Sequence, residues 1–330
     1  MPATLMLKRR SCLRLAAVGL LSTSAGLQVA RAQGKIARFV VGSAPGGPSD
    51  VQARGLAEAM RRAGGSLMLV DNRPGAAGRL AVQAMKGMAP DGTNLLVAPG
   101  WLLTLAPQTD KVPGFDPFTD LVPIGGYCIQ EYALVVGPAT PARSLREFVA
   151  WAKANPGSGQ YGSPGVGSMA HLVGSMLERS AGLSLLGIPY KGAAVALQDV
   201  QAGHVASYIG ALGDMVRMHR EGVARVLATT GTKRSKFLPD VPTFEEAGFA
   251  AVQIADWSGV FAPPKTPPGV VAHYARLLAL CFQDKEFLAL LEKMGVEPSF
   301  SSAADLAIRM KVDFDAMREH VKVLRLNGRT

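Results

Sequence analysis

The chain of 330 residues is 48% hydrophobic and 18% charged, with 35 basic residues against 25 acidic ones and a formal net charge of +10. No run of Lys and Arg is interleaved with aromatics, which argues against nucleic acid as a partner, and no stretch beyond residue 33 is long and apolar enough to span a bilayer. A chain of this length suits two lobes better than a single core.

Residues 1–32 read as an export signal: Lys8, Arg9, Arg10 and Arg14 come first, residues 15–29 are apolar, and Ala30-Arg31-Ala32 is a cleavage motif. Arg9-Arg10-Ser11-Cys12-Leu13-Arg14 also resembles a twin-arginine signal, which leaves two export routes open. Cleavage removes five basic residues and no acidic one, so 30 basic against 25 acidic residues leave +5. With no cysteine after the cleavage site to carry a lipid, the expected mature protein is soluble and periplasmic. Cys128 and Cys281 remain; two buried free thiols are expected, although that compartment permits a disulfide.

The first element is an apolar strand over residues 36–42. It runs through Ser43-Ala44-Pro45-Gly46-Gly47-Pro48-Ser49-Asp50 into an amphipathic helix, for which Ser49 and Gln52 have capping-box spacing. Such a turn aims backbone N–H groups and a positive dipole end at an anion. Gly-Lys-Ser/Thr is absent, so a carboxylate fits better than a triphosphate. Strands follow at 67–71, 94–98, 121–125 and 132–137. Leu145, Phe148, Val149 and Ala152 then form a helical stripe behind a Ser144/Glu147 capping box, stopped by Asn155-Pro156-Gly157.

A strand at 159–161 leads into a second glycine-rich turn, Gly162-Ser163-Pro164-Gly165-Val166-Gly167-Ser168. The helix beyond it carries Met169, Leu172, Val173, Met176 and Leu177, and ends at Gly182. Further strands are expected at 184–189, 205–209, 223–229 and 252–261. Helical stripes are expected at Ala193, Ala196, Leu197 and Val200, from Val270 to Cys281, and in a last helix with Leu306, Met310, Met317, Val321 and Leu324 together. The alternation predicts an α/β fold of mixed, mainly parallel sheets flanked by helices.

Catalytic patterns are missing. No G-x-S-x-G occurs, and the five histidines show no metal spacing. Gly165-Val166-Gly167-Ser168-Met169-Ala170 matches a dinucleotide fingerprint without the acidic residue that the ribose requires. No cofactor, no metal and no enzymatic activity are expected. His171 reads as a hydrogen-bonded structural residue or a contact at the pocket rim. Two turns facing one crevice would supply amides to a single carboxylate, helped by the Ser163 and Ser168 hydroxyls.

Pro45-Gly46-Gly47-x-x-Asp50, Val70-Asp71-Asn72-Arg73-Pro74-Gly75-Ala76-Ala77-Gly78 and Ala89-Pro90-Asp91-Gly92 occur in that order. They are followed by Gly165-Val166-Gly167-Ser168-x-x-His171-Leu172, Pro189-Tyr190-Lys191-Gly192, Arg234-Ser235-x-x-Leu238-Pro239-Asp240-Val241-Pro242-Thr243 and Trp257-x-Gly259-x-x-Ala262-Pro263. In this the chain resembles the Bug/TctC family, the periplasmic solute-binding proteins of tripartite tricarboxylate transporters. The resemblance implies a two-lobed, type II-like Venus flytrap, with lobe 1 at 33–133 and 256–330 and lobe 2 at 134–255. It also implies a monomer that closes on a small organic acid and serves a membrane permease. Carried over by motif, the pocket includes Gly46, Gly47, Ser49 and Asp50 from lobe 1, and Ser163, Gly165, Val166, Gly167 and Ser168 from lobe 2.

Asp50 is expected to orient its turn or to meet a ligand hydroxyl or ammonium. Two departures from the family pattern stand out. Trp101 occupies a loop that is usually small and polar, where it either fills the pocket or stacks on an apolar or aromatic acid, and Ala206 replaces a usual aspartate. Asp214 and Asp256 remain as lobe-2 or hinge contacts, or as surface and capping residues. The competing readings are a ligand-binding protein that signals to a sensor kinase and an exported enzyme of organic acids.

Overall fold

The computed structural model describes residues 36–109, 114–165 and 167–324; the export signal and Val166 lie outside them. The first sheet has the order β2-β1-β3-β9-β4-β10, from β1 (Ala37–Val41), β2 (Met68–Asn72), β3 (Asn94–Pro99), β4 (Val122–Val136), β9 (Ala255–Ala262) and β10 (Glu297–Ser302). The second has β8 (Arg225–Thr229) and β7 (Ser207–Ala211) on either side of β4, then β5 (Gln160–Ser163) and β6 (Leu186–Pro189). β4 belongs to both sheets. Its first half pairs with β9 and β10, and residues 132–136 pair with β7 and β8.

Pairing is parallel among β1, β2 and β3 and among β5, β6 and β7. Every antiparallel pairing involves β4 or β9. The expected parallel character therefore holds within each half, and the strands that join the halves make the whole sheet mixed.

Strand alternation sorts side chains to the two faces. Phe39 and Val41 enter a core with Leu56 and Met60 of α1 (Pro48–Arg62), Leu277 of α9 (Pro268–Cys281) and Phe287 of α10 (Lys285–Lys293). Val40, between them, enters the opposite core with Val82 of α2 (Arg79–Met85) and Leu102 of α3 (Gly100–Thr104). In the second sheet Leu134 and Val136 face α5 (Leu145–Ala154) and α6 (Met169–Ala181), whereas Ala133 and Val135 face α7 (Ala193–Ala202) and Met218 of α8 (Val216–Arg220). The short α4 (Ala106–Thr109) follows α3.

The last helix, α11 (Ala303–Leu324), joins both halves: Leu306 and Met310 pack in the α2 and α3 core, Met317 and Val321 in the α5 and α6 core. The expected single stripe is thus divided between two cores. The Leu324 side chain lies outside the described residues. Cys128 and Cys281 are free, buried and in one core.

Several expectations shift. The segments at 121–125 and 132–137 are one strand. Helix α1 starts one residue before Ser49: Gly47 is the extended N-cap and Pro48 the first helical residue, with no side-chain cap. Proline supplies a helical φ there and needs no N–H partner, and it forces the residue before it to be extended. Gln52 is not half of a capping box; its Oε1 accepts the Tyr127 hydroxyl at 2.7 Å. Ser144 does cap α5, accepting the Glu147 N–H. β10 and the helices α2, α3, α4, α8 and α10 are not expected from the sequence.

Candidate ligand-binding site

The first turn lies between β1 and α1. Gly46 has φ +80°, a left-handed conformation open to glycine. Its N–H donates to Asp50 Oδ2 at 2.9 Å, and the Gly47 N–H donates to the Ala44 carbonyl at 3.0 Å. Asp50, 2% exposed, also accepts from Arg54 and, at 2.8 Å, from Asn72 Nδ2. Hydrogen bonds from the Arg54 guanidinium hold its carboxyl down to about 2 against the opposing effect of burial. Asn72 also donates to the Ser43 carbonyl, which fastens the turn to β2.

Asp50 therefore orients the turn. The glycine amides are used inside it, while the N–H groups of Ser49 and Asp50, in the first turn of α1, have no acceptor among the described residues. The Ser43 hydroxyl is buried without a partner among the described residues. Sequence reasoning passed over Ser43, although it opens the glycine-rich segment.

The second turn is held by its own side chains. Ser163 Oγ accepts the Gly165 N–H, Ser168 Oγ donates to the Gly165 carbonyl and caps α6 through the His171 N–H, and Gly167 donates to His171 Nδ1 at 3.3 Å. Both hydroxyls thus brace the turn, and His171 is the hydrogen-bonded residue its position suggested. Ser163, Gly165 and His171 line a cavity of about 190 Å³ with Glu178 and Pro189. Gly167 lies against Thr109 of α4.

The segment read as a third loop is the start of α3, which follows β3 directly, so Trp101 is helical. The Trp101 N–H donates to Asp256 Oδ1 at 2.9 Å, and its indole packs between the α2/α3 core and the α5/α6 core. Asp256, on β9 and 3% exposed, also accepts from Gln130 of β4 at 3.3 Å. Burial pushes its carboxyl up to about 7.

A chamber of about 170 Å³ joins the two halves beside the first turn. Pro48 and Gln52 come from α1, Gln130 from β4, Gly213 and Asp214 from the end of β7, and residues 294–296 from the chain after α10. Burial raises the Asp214 carboxyl to about 6, opposed by the hydrogen bond with Tyr208. On β4, Gln130 faces this chamber, and the next residue, Glu131, lines a cavity of about 490 Å³ together with Lys233, Arg309 and His320. Of the first turn, Pro48 shares this chamber with Asp214, whereas Gly46, Gly47, Ser49 and Asp50 do not line it, and Ser163 and Gly165 border a separate cavity, so the two turns do not face one crevice as the sequence suggested. Gln130 escaped sequence reasoning because it stands in no motif, and in the sequence Gln52 reads only as half of a capping box.

Among the described residues no three His, Cys, Asp or Glu could hold a metal ion, and no helix is long and apolar enough to cross a membrane. Residues 52–323 match the model of the tripartite tricarboxylate transporter family receptor. A UPF0065 protein of the gbd 5' region of Cupriavidus necator is 33% identical over 297 residues, 88% of either chain. Among solved structures, the periplasmic binding protein BugD is 29% identical with a TM-score of 0.80, covering 89% of this chain and 99% of its own.

MatC (Rpa3494) from Rhodopseudomonas palustris with bound malate is 25% identical, with a TM-score of 0.79 over 87% of this chain and 99% of its own. Rpa4515 of R. palustris with adipate is 26% identical, with a TM-score of 0.81 over 88% and 97%. The chain belongs to the tripartite tricarboxylate transporter receptor family and has the two-lobed α/β architecture of periplasmic binding proteins.

Proposed function

We propose that the protein is a periplasmic receptor that captures a small carboxylate between lobe 1 (33–133 and 256–330) and lobe 2 (134–255) and delivers it to a tripartite tricarboxylate-type permease. Family membership and the malate- and adipate-bound neighbours support a small organic acid as ligand. The observation that carries the reading is the start of α1, where the Ser49 and Asp50 amides lack acceptors among the described residues and the same helical turn lines, through Pro48 and Gln52, a chamber shared by both halves. Burying a carboxylate is unfavourable unless its oxygens are hydrogen-bonded. Fixed main-chain donors at a helix start meet that demand without a counter-ion.

In this reading Gly46, Gly47 and Asp50 shape the donor turn, and Ser163, Gly165, Gly167 and Ser168 form the second turn, on lobe 2. Ligand bound between open lobes shifts the hinge equilibrium toward a closed form, and the permease docks on that form. No turnover is required. A thermal-shift panel of mono-, di- and tricarboxylates, amino acids and aromatic acids tests the idea: a binder at a hundred times its Kd adds about 2.7 kcal/mol of stability. Should a sugar or nucleotide raise Tm while every acid fails, the carboxylate reading is wrong. Deleting the gene should abolish cellular uptake of the acid found, and unchanged uptake would remove the transport role.

A further inference from the structure

We infer that Asp214 selects the far end of the ligand, so that the guest is a short carboxylic acid bearing a hydroxyl or ammonium group, with no second carboxylate at that end. The inference rests on the proposed receptor function and deepens it. Three acidic side chains stood near the expected site, and the structure separates them. Asp50 is saturated by Gly46, Arg54 and Asn72. Asp256 is occupied by the Trp101 N–H and by Gln130. Asp214 has the Tyr208 hydroxyl as its hydrogen-bond partner, and it alone of the three lines the chamber, which Pro48 and Gln52 of α1 also line.

The chamber is dipolar by construction. One wall is the first turn of α1, where Pro48 and Gln52 line the chamber near the positive end of the helix, and the other carries Asp214, the one charged side chain among its lining residues. Gln52 has its Oε1 taken by Tyr127, leaving Nε2 as a donor toward an oxygen of the guest. Both ends share about 170 Å³, so a guest a few bonds long spans them. A molecule with a carboxylate at one end and a donor at the other complements both walls. A second carboxylate at the far end, such as adipate carries, would face Asp214 as like charge against like charge. A site built to pair with a donor discriminates strongly against analogues that lack it, because its own polar group is then left unpaired.

The test is isothermal titration of the protein at pH 7.5 with linear acids of three to six carbons, each length offered with a methyl, hydroxyl, ammonium or carboxylate terminus. The hydroxyl or ammonium member of the best-fitting length should bind at least tenfold tighter than its methyl and carboxylate counterparts. Asp214→Asn should cut the preference for ammonium over methyl by at least tenfold and strengthen binding of the carboxylate-ended member.

Should that variant fold poorly, a pH series on the unaltered protein reads the same group. Around it, burial keeps Tyr208 and Tyr132 neutral across this range, and Asp256, which is raised to about 7 and reaches the chamber wall through Gln130, is controlled for by repeating the series in Asp256→Asn. Lowering the pH from 7.5 to 5 should therefore weaken the ammonium-ended ligand and spare the methyl-ended one. Tightest binding of the carboxylate-ended member, or an unchanged ranking in Asp214→Asn, overturns the inference and leaves the receptor function standing. If no acid of any terminus binds, both fall.

Discussion

Replacing Asp256 by Asn should make stability less dependent on pH, and should do so on the alkaline side. The Asp256 carboxyl is buried on the crossing strand β9 and rises from 3.8 to about 7, chiefly by burial. A raised folded value means that the native state holds the proton more tightly than the unfolded chain. Stability conferred by that proton is thus lost as pH climbs from about 4 toward 7 and is level above. Between pH 5 and pH 8 the group titrates over roughly 2 pH units, and at 1.36 kcal/mol per unit the native state loses about 3 kcal/mol.

The substituted amide cannot ionise, yet its carbonyl oxygen still accepts the Trp101 N–H. Urea unfolding at the two pH values should find the variant within about 1 kcal/mol of the parent at pH 5 and about 2–3 kcal/mol more stable at pH 8. Glu131, raised to about 7, and Asp214, raised to about 6, contribute slopes of the same sign, so the difference between parent and variant isolates Asp256. An equal gap at both pH values would refute the claim that a buried, ionisable carboxylate caps the start of α3.

Asp50→Ala should strip the first turn of its acceptor for Gly46, Arg54 and Asn72, lowering stability by about 1–3 kcal/mol and abolishing carboxylate binding in calorimetry. Binding at parental strength would show that the turn does not need this anchor. In the parent the Asp50 contribution should disappear as pH falls from 3.8 toward 2, because its folded value is depressed. Gly213→Ala should weaken ligand binding about tenfold: a Cβ there would overlap the Met294 carbonyl and press on Gly295 across the two halves, an overpacking that costs roughly 1–3 kcal/mol. Cys128 and Cys281, both buried with thiols pushed up to about 12, should resist a thiol reagent in the native protein and react after denaturation.

The local parts of the site were legible in the sequence. An apolar run, a Gly/Pro turn and an amphipathic stripe announce β1 with α1 and β5 with α6, because period and punctuation are local signals. The start of α1 was misplaced when a capping-box spacing outweighed Pro48, whose ring also fixes a helical φ. β4 read as two strands because Gly125-Gly126 and the polar pair Gln130-Glu131 interrupt its apolar pattern. Those polar residues lie where the strand passes from one sheet to the other, with a cavity on either side instead of a packed core. β10, Glu-Pro-Ser-Phe-Ser-Ser, shows no alternation to detect and pairs with β4 alone. The chamber itself was out of reach, since Gln52, Gln130, Asp214 and residues 294–296 meet only through the crossing strands.

That crossing explains why a receptor would use this topology. Gln130 and Glu131 are consecutive on β4, and strand geometry sends them to opposite faces, toward the chamber and toward the larger cavity under α11. Gln130 also reaches Asp256 on the neighbouring strand β9, whose Oδ1 holds the start of α3 beside Trp101. In the proposed receptor, a twist of β4 relative to β9 would move a chamber wall and the start of α3 together, because one hydrogen-bonded chain links them. Small rotations at two strands are the motion that hinge closure requires, and a ligand bridging α1 and Asp214 would favour the rotation that brings those walls to its own length.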